Sequence, residues 1–228
     1  MPDIEVVAQV PDPAFVAGIV VATGVAAAAA PDSLRKLVEE AVARRAPEEF
    51  PAATKDAIRG LLKRGGFKPS GRNKPASEYL AQAAREGRFP FINNLVDINN
   101  LLSLETGLPI SLLDLRPFDG RAVLRYGGAG EKYVFNQAGQ EIELDGLLCV
   151  CSRNAPLGNP VKDSMAGKLK EDTGSALGVI YGSQECEPGR AMAAHVERFA
   201  ALLREFAGAK DVYGQVVASG LLAPWRHF

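Results

Sequence analysis

Hydrophobic positions recur along this chain with two periods, and each period predicts its own kind of element. Residues 4–10 and 15–22 are rich in Val and Ile, and Pro11 to Pro13 separates them as a turn would. The second run is almost continuously apolar, as in a strand buried on both faces. From residue 31 the period lengthens. Leu34, Leu37, Val38, Ala41 and Val42 fall at i, i+3, i+4, i+7 and i+8 on an otherwise charged stretch, which is one stripe of a helix. Pro31, Pro47, Pro51, Pro75 and Pro188 each stand at the start of a helical pattern, where a missing N–H costs nothing.

The clearest helix is expected over 94–106. Leu95, Ile98, Leu101, Leu102 and Glu105 share a face, and Asn93 or Asn94 can cap its start. Asp97 suits the positive first turn, and Gly107 followed by Pro109 is a stop. After residue 122 the period shortens again. Strands are expected at 122–126, 132–135, 141–144, 147–151 and 176–181, with residues 137–140 turning a hairpin. A last long helix is expected from 188 to 207, with Met192, Val196, Phe199, Leu203 and Phe206 inward and Gly208 ending it. His195 lies beside that stripe and reads as a partly exposed helix residue rather than a base or ligand.

Together these elements predict an α+β fold, mixed sheets covered by helices. The expected organisation is an N-terminal α/β lobe at 1–65, a core at 66–210 and a C-terminal tail at 211–228. Residues 14–30 carry no charge, but 17 residues is the lower limit for crossing a bilayer. Glycine and threonine interrupt the run, and acidic rather than basic residues precede it, so a membrane span or signal peptide is not expected.

Composition adds little: 47% hydrophobic and 23% charged residues in a chain of 228 allow a core without disulfides or metal. A net charge of −1 argues against coating nucleic acid by charge alone. Locally the balance differs. Residues 55–88 hold nine basic side chains against three acidic ones, a net of +6, around the glycine-containing loop at 65–71. This is either a phosphate-contacting patch that includes Arg64, Lys68, Arg72 and Lys74, or a pair of solvated helix faces. Three cysteines make no framework and suit a reduced, cytoplasmic compartment. Cys149 and Cys151 read as two small buried hydrophobes of one strand. With only His195 and His227 available, no metal or other cofactor is expected.

Residues 88–115 read RFPFINNLVDINNLLSLETGLPISLLDL. The Ile-Asn-Asn, Val-Asp, apolar helix, Gly-x-Pro and Asp-Leu elements resemble the signature of the editing domain of the phenylalanyl-tRNA synthetase β subunit. Gly130-Glu131-Lys132 and residues 159–173 (NPVKDSMAGKLKEDT) are similar to its next segments, and the two N-terminal strands with their following helix, together with residues 68–80, to a free-standing branch of that family. The resemblance spans roughly residues 1–208. It implies a pocket for a free or tRNA-linked amino acid, with tRNA or aminoacyl-tRNA as partner; in the synthetase that pocket hydrolyses the ester of misattached tyrosine. This chain departs from the pattern at informative places. Asn99 and Asn100 stand where the family has Thr-Asn, Ser111 stands where it has His, and the acidic residue that reads a tyrosine hydroxyl falls within residues 163–165. No nucleotide-binding glycine motif is present, so a complete ligase is not expected.

Hydrolysis of an aminoacyl ester needs a positioned water, donors for the developing oxyanion and usually a base. The residues offered for that chemistry are Asn100, Ser111 and Asp163. Asn93, Asn94, Asn99, Asn159 and Lys162 are offered for holding substrate. Ser111 has no evident base partner and is read as a hydrogen-bond donor, not a nucleophile. Each has a plainer alternative: Asn94 as a helix cap, Asn159 as a turn before Pro160, and Lys162-Asp163 as a surface ion pair. Asp97 and Asp114 read as structural. The expected function is a trans-acting aminoacyl-tRNA deacylase. The alternatives are a non-catalytic tRNA- or amino-acid-binding module and a hydrolase of some other small aminoacyl or amide compound.

Overall fold

The computed structural model describes residues 1–219 and 221–228. In chain order the elements are β1 (Glu5–Gln9), β2 (Phe15–Thr23), α1 (Asp32–Arg45), α2 (Ala52–Arg64), α3 (Ala76–Arg85), α4 (Asn94–Thr106) and β3 (Ile110–Asp114). They continue with β4 (Arg121–Tyr126), β5 (Lys132–Val134), β6 (Glu141–Glu143), β7 (Leu148–Cys151), β8 (Pro156–Gly158) and β9 (Ser175–Ser183). The last are α5 (Glu187–Arg190), α6 (Met192–Ala207), β10 (Asp211–Ala218), β11 (Leu221–Leu222) and β12 (Arg226–His227). The class is α+β, as expected.

Strand β2 organises the molecule. It is antiparallel to β9 on one side and to β10 on the other, and the large sheet runs β11-β10-β2-β9-β3. A second sheet has the order β1-β4-β7-β8, with β1 and β4 parallel. Side chains alternate across β2. Val16, Val20 and Ala22 join the core under the helices, whereas Phe15, Ala17, Ile19 and Val21 join the core between the two sheets. The run is therefore apolar throughout because both faces are covered. The result is three layers: helices, large sheet, small sheet.

Helix α4 occupies the residues that its pattern predicts. Leu95, Ile98 and Leu101 are fully buried, each worth about 1.5–3 kcal/mol of transfer free energy. The Asn93 side chain accepts from the Val96 amide at 2.9 Å, and Gly107 closes the helix in the left-handed region (φ 76°). Asp97 accepts from the Ile92 amide at 2.9 Å, and Asp114 from the Arg116 amide at the same distance. The long C-terminal helix is instead two pieces, α5 and α6, divided at Ala191; the inward stripe of α6 is buried as expected, and Gly208 ends it at φ 69°. His195 is half-buried there.

The three segments expected at 1–65, 66–210 and 211–228 each supply a strand to the large sheet: β2, then β3 and β9, then β10. Helix α2 likewise divides its side chains between the two cores. Among the described residues no helix is long and apolar enough to cross a membrane. The three cysteines are free and buried, and no cluster of His, Cys, Asp and Glu among the described residues could hold a metal ion.

Candidate functional site

Alternation along the large sheet brings the site together. Ser111 on β3 pairs with Val179 on β9, and Tyr181 lies two residues further on the same face. That face looks into the core between the sheets. The Ser111 hydroxyl lies 3.1 Å from the Tyr181 hydroxyl and donates to Asp163 Oδ1 at 2.6 Å. Ser111 and Tyr181 are both fully buried.

Asp163 comes from the loop after β8, and that loop is rigidly held. Asn159 Oδ1 accepts from the amides of Val161 and Lys162 at 2.7 and 2.8 Å, a local turn of the kind asparagine favours. Asn159 Nδ2 donates to the Tyr133 hydroxyl, which itself donates to the Lys162 carbonyl at 2.6 Å. The Asn159 amide gives Asp163 Oδ1 its second hydrogen bond, at 3.2 Å. Gly158 is required by close approach: a Cβ there would lie 2.8 Å from both Asp163 Oδ1 and Leu113 Cδ1.

Asp163 is half-buried, with protein around much of its carboxyl. Desolvation raises that carboxyl to about 7, against the opposing pull of the Ser111 hydroxyl, the Asn159 amide and Lys168. Burial also pushes Tyr133 and Tyr181 above the ordinary phenol range, with the Asp163 charge adding to both. Cys149 is raised by burial and then by Cys151, while Cys151 reaches about 11, so neither is a thiolate at neutral pH. Lys162 is not an ion-pair partner of Asp163. Its ammonium sits 4.4 Å from the centre of the Phe135 ring and is lowered by burial and by the charge of Arg72.

Several sequence expectations thus change. Ser111 does have a carboxylate partner, Asp163, and the partnership was hidden because the two belong to different elements. Asn94 is a buried structural link whose side-chain groups are all occupied. Its oxygen accepts from the Ala28 and Leu95 amides, and its nitrogen donates to the Ala26 and Phe206 carbonyls. Asn93 is the helix cap. Asn99 Nδ2 donates to Asn100 Oδ1 at 3.4 Å, and no hydrogen bond joins either residue, among those described, to the Ser111–Asp163 group. The sequence pattern places Tyr133 and Tyr181 only as strand residues. Each carried the signal of a phenol in an apolar run, which needs a partner when buried.

Among the described residues, four of the nine basic side chains of this segment are in ion pairs. Arg64 pairs with Asp12 at 2.8 Å and Glu185 at 2.5 Å, Arg59 with Glu78, Lys55 with Glu49 and Arg88 with Glu86. Lys74 donates to Gln82. Lys68 and Arg72 are exposed and carry no ion pair among the described residues. Their loop adjoins the Asp163 loop, since the Ala76 amide donates to the Pro160 carbonyl at 2.8 Å.

Residues 67–182, half of the chain and all of this site, match the B3/4 domain. The phenylalanine–tRNA ligase β subunit of Aquifex aeolicus is 35% identical over 88 residues, covering 38% of this chain and 11% of the relative. That of Legionella pneumophila is 31% identical over 80 residues, covering 35% and 10%. The chain therefore spans about a tenth of the length of these curated relatives. An N-terminal fragment of the phenylalanyl-tRNA synthetase β subunit from Pyrococcus horikoshii aligns over 100% of this chain and 56% of its own, with 12% identity and a TM-score of 0.46.

Proposed function

This chain belongs to the B3/4 domain family, and we propose that within it the protein is a trans-acting aminoacyl-tRNA ester hydrolase with Asp163 as general base. The observation that carries the reading is the Ser111–Asp163 hydrogen bond of 2.6 Å together with a carboxyl held at about 7. A base poised near the working pH combines a useful ionised fraction with useful basicity. Ser111 and the Asn159 amide both bind Oδ1, which orients the carboxyl and leaves Oδ2 to take a proton from water. The water oxygen attacks the ester carbonyl carbon and the ester C–O bond breaks. The proton held by Asp163 then passes to the departing ribose oxygen, giving free amino acid and tRNA. Lys68, Arg72 and Lys162, beside the same loop, supply positive charge for the phosphates of the acceptor end. Three free, buried cysteines suit a reduced cytoplasmic setting.

A second reading is favoured by one observation. Ser111 and Tyr181 have no exposed surface, so side chains rather than space fill the centre of the group. On that reading the protein binds tRNA without cleaving it. The deciding experiment measures amino-acid release from correctly and incorrectly charged tRNAs by wild type and Asp163→Asn. Turnover of one class that the variant loses supports the hydrolase. No release across the panel, with tRNA retained in a shift assay, supports the binding module.

A further inference from the structure

The large sheet carries a second feature on the face away from Ser111. A cavity of about 510 Å³ opens between α6, β10 and the C-terminal segment, within the size range of small-molecule sites. Its walls are mainly apolar, with Val16, Met192, Val196, Val216 and Phe228 beside the polar Gln184 and Gln215. The chain builds it deliberately. The Phe228 amide donates to Val212 at 2.9 Å, and the Gln215 side-chain amide donates to the Ala223 carbonyl, so residues 223–228 are strapped along β10. Gly214 gives Phe228 and Val196 their positions, because a Cβ there would lie 2.6 Å and 2.4 Å from them.

Among the described residues, the charged side chains lining the cavity are basic. Arg190 and Arg226 line it, and no aspartate or glutamate among the described residues does. Arg226 is already engaged by Glu197 at 2.6 Å. Arg190 is exposed and donates to the Gln184 carbonyl at 3.1 Å, and among the described residues its other guanidinium donors have no acceptor. Apolar walls with a guanidinium at the mouth suit an apolar body ending in a carboxylate.

We propose that this cavity binds a small monocarboxylate with an aliphatic or aromatic tail, anchored by Arg190. The site is independent of the Asp163 group on the opposite face. The test titrates the ¹⁵N-labelled protein with octanoate and 3-phenylpropionate, and with 1-octanol and 3-phenylpropanol as uncharged counterparts. The acids are expected to give saturable shifts at Val16, Val196, Gly214 and Val216. The alcohols cannot take a charge-assisted bond from the exposed Arg190 and are expected to bind several-fold more weakly. Arg190→Gln is expected to bring the acids down to the level of the alcohols. Ala193→Phe, at an exposed helix position lining the cavity, is expected to abolish binding with an unchanged melting curve. Silence of those amides at millimolar acid, equal binding of acid and alcohol, or binding that survives Ala193→Phe would each overturn the proposal. Arg190→Gln leaves ester hydrolysis unchanged, so failure here and failure of the hydrolase reading are told apart.

Discussion

Ser111 Oγ and Asp163 Oδ1 stand 2.6 Å apart although 52 positions separate them in the chain. One belongs to a strand of the large sheet and the other to a loop that Asn159 folds and Tyr133 clamps. The contact joins a buried hydroxyl to a carboxyl that burial has weakened as an acid.

Asp163→Asn keeps the shape of that carboxyl and removes its basicity. Hydrolysis of the preferred aminoacyl-tRNA is expected to fall by about 10²–10⁴, the usual contribution of a general base. The wild-type rate is expected to rise with pH through about 7 as the base ionises, and the variant to lose that limb. Single-turnover release measured across pH checks both.

The same substitution has an opposite signature in stability. The folded carboxyl titrates near 7 and the unfolded one near 3.8, so between these values the folded state holds more protons. Stability then falls as pH rises through that window, by up to about 4 kcal/mol. Wild type is expected to lose ground to Asp163→Asn from pH 4 to pH 7 and to run parallel above it. Denaturant melts of both proteins over that range decide.

Gly158→Ala places a methyl group 2.8 Å from Asp163 Oδ1 and from Leu113. Crowding of this kind costs about 1–3 kcal/mol. We expect that loss in a chemical melt, together with a drop in hydrolysis larger than the population unfolded explains, because the carboxyl is displaced.

Asn94→Ala strips four hydrogen bonds that tie the start of α4 to residues 26–28 and to the end of α6. Two of those bonds are buried, and leaving their backbone partners unpaired at about 1–3 kcal/mol each gives an expected loss of about 3 kcal/mol. Substrate affinity per folded molecule should not change. An effect on KM at full folding would show instead that Asn94 touches substrate.

Lys68→Ala with Arg72→Ala removes two exposed charges that carry no ion pair among the described residues. Binding to tRNA should weaken for every sequence, and the slope of log affinity against log salt should fall by about 2. Arg64→Ala, whose charge is already taken by Asp12 and Glu185, should change that slope little. Filter binding at several salt concentrations separates the two.

Local physics was legible in the sequence. The apolar stripe, the asparagine cap and the Gly107 stop of α4 all act within a few residues, so its bounds could be read directly. The β5–β6 hairpin was legible for the same reason, and so was the burial of both faces of β2, since an apolar run leaves no side for water. The candidate residues Ser111, Asn159 and Asp163 were legible as polar positions within a family signature.

Which of them meet was decided only by the tertiary structure. Strand order is a choice among distant pairings of similar apolar strands, and nothing local to β2 says that β9 and β10 flank it. The same choice sets Ser111 and Tyr181 on one face and lays the loop of Asp163 against them, while α4 turns Asn94 toward backbone groups of other elements. It also decides the electrostatics. A carboxyl's affinity for its proton depends on the water it loses, and that loss exists only once the two sheets close over Asp163.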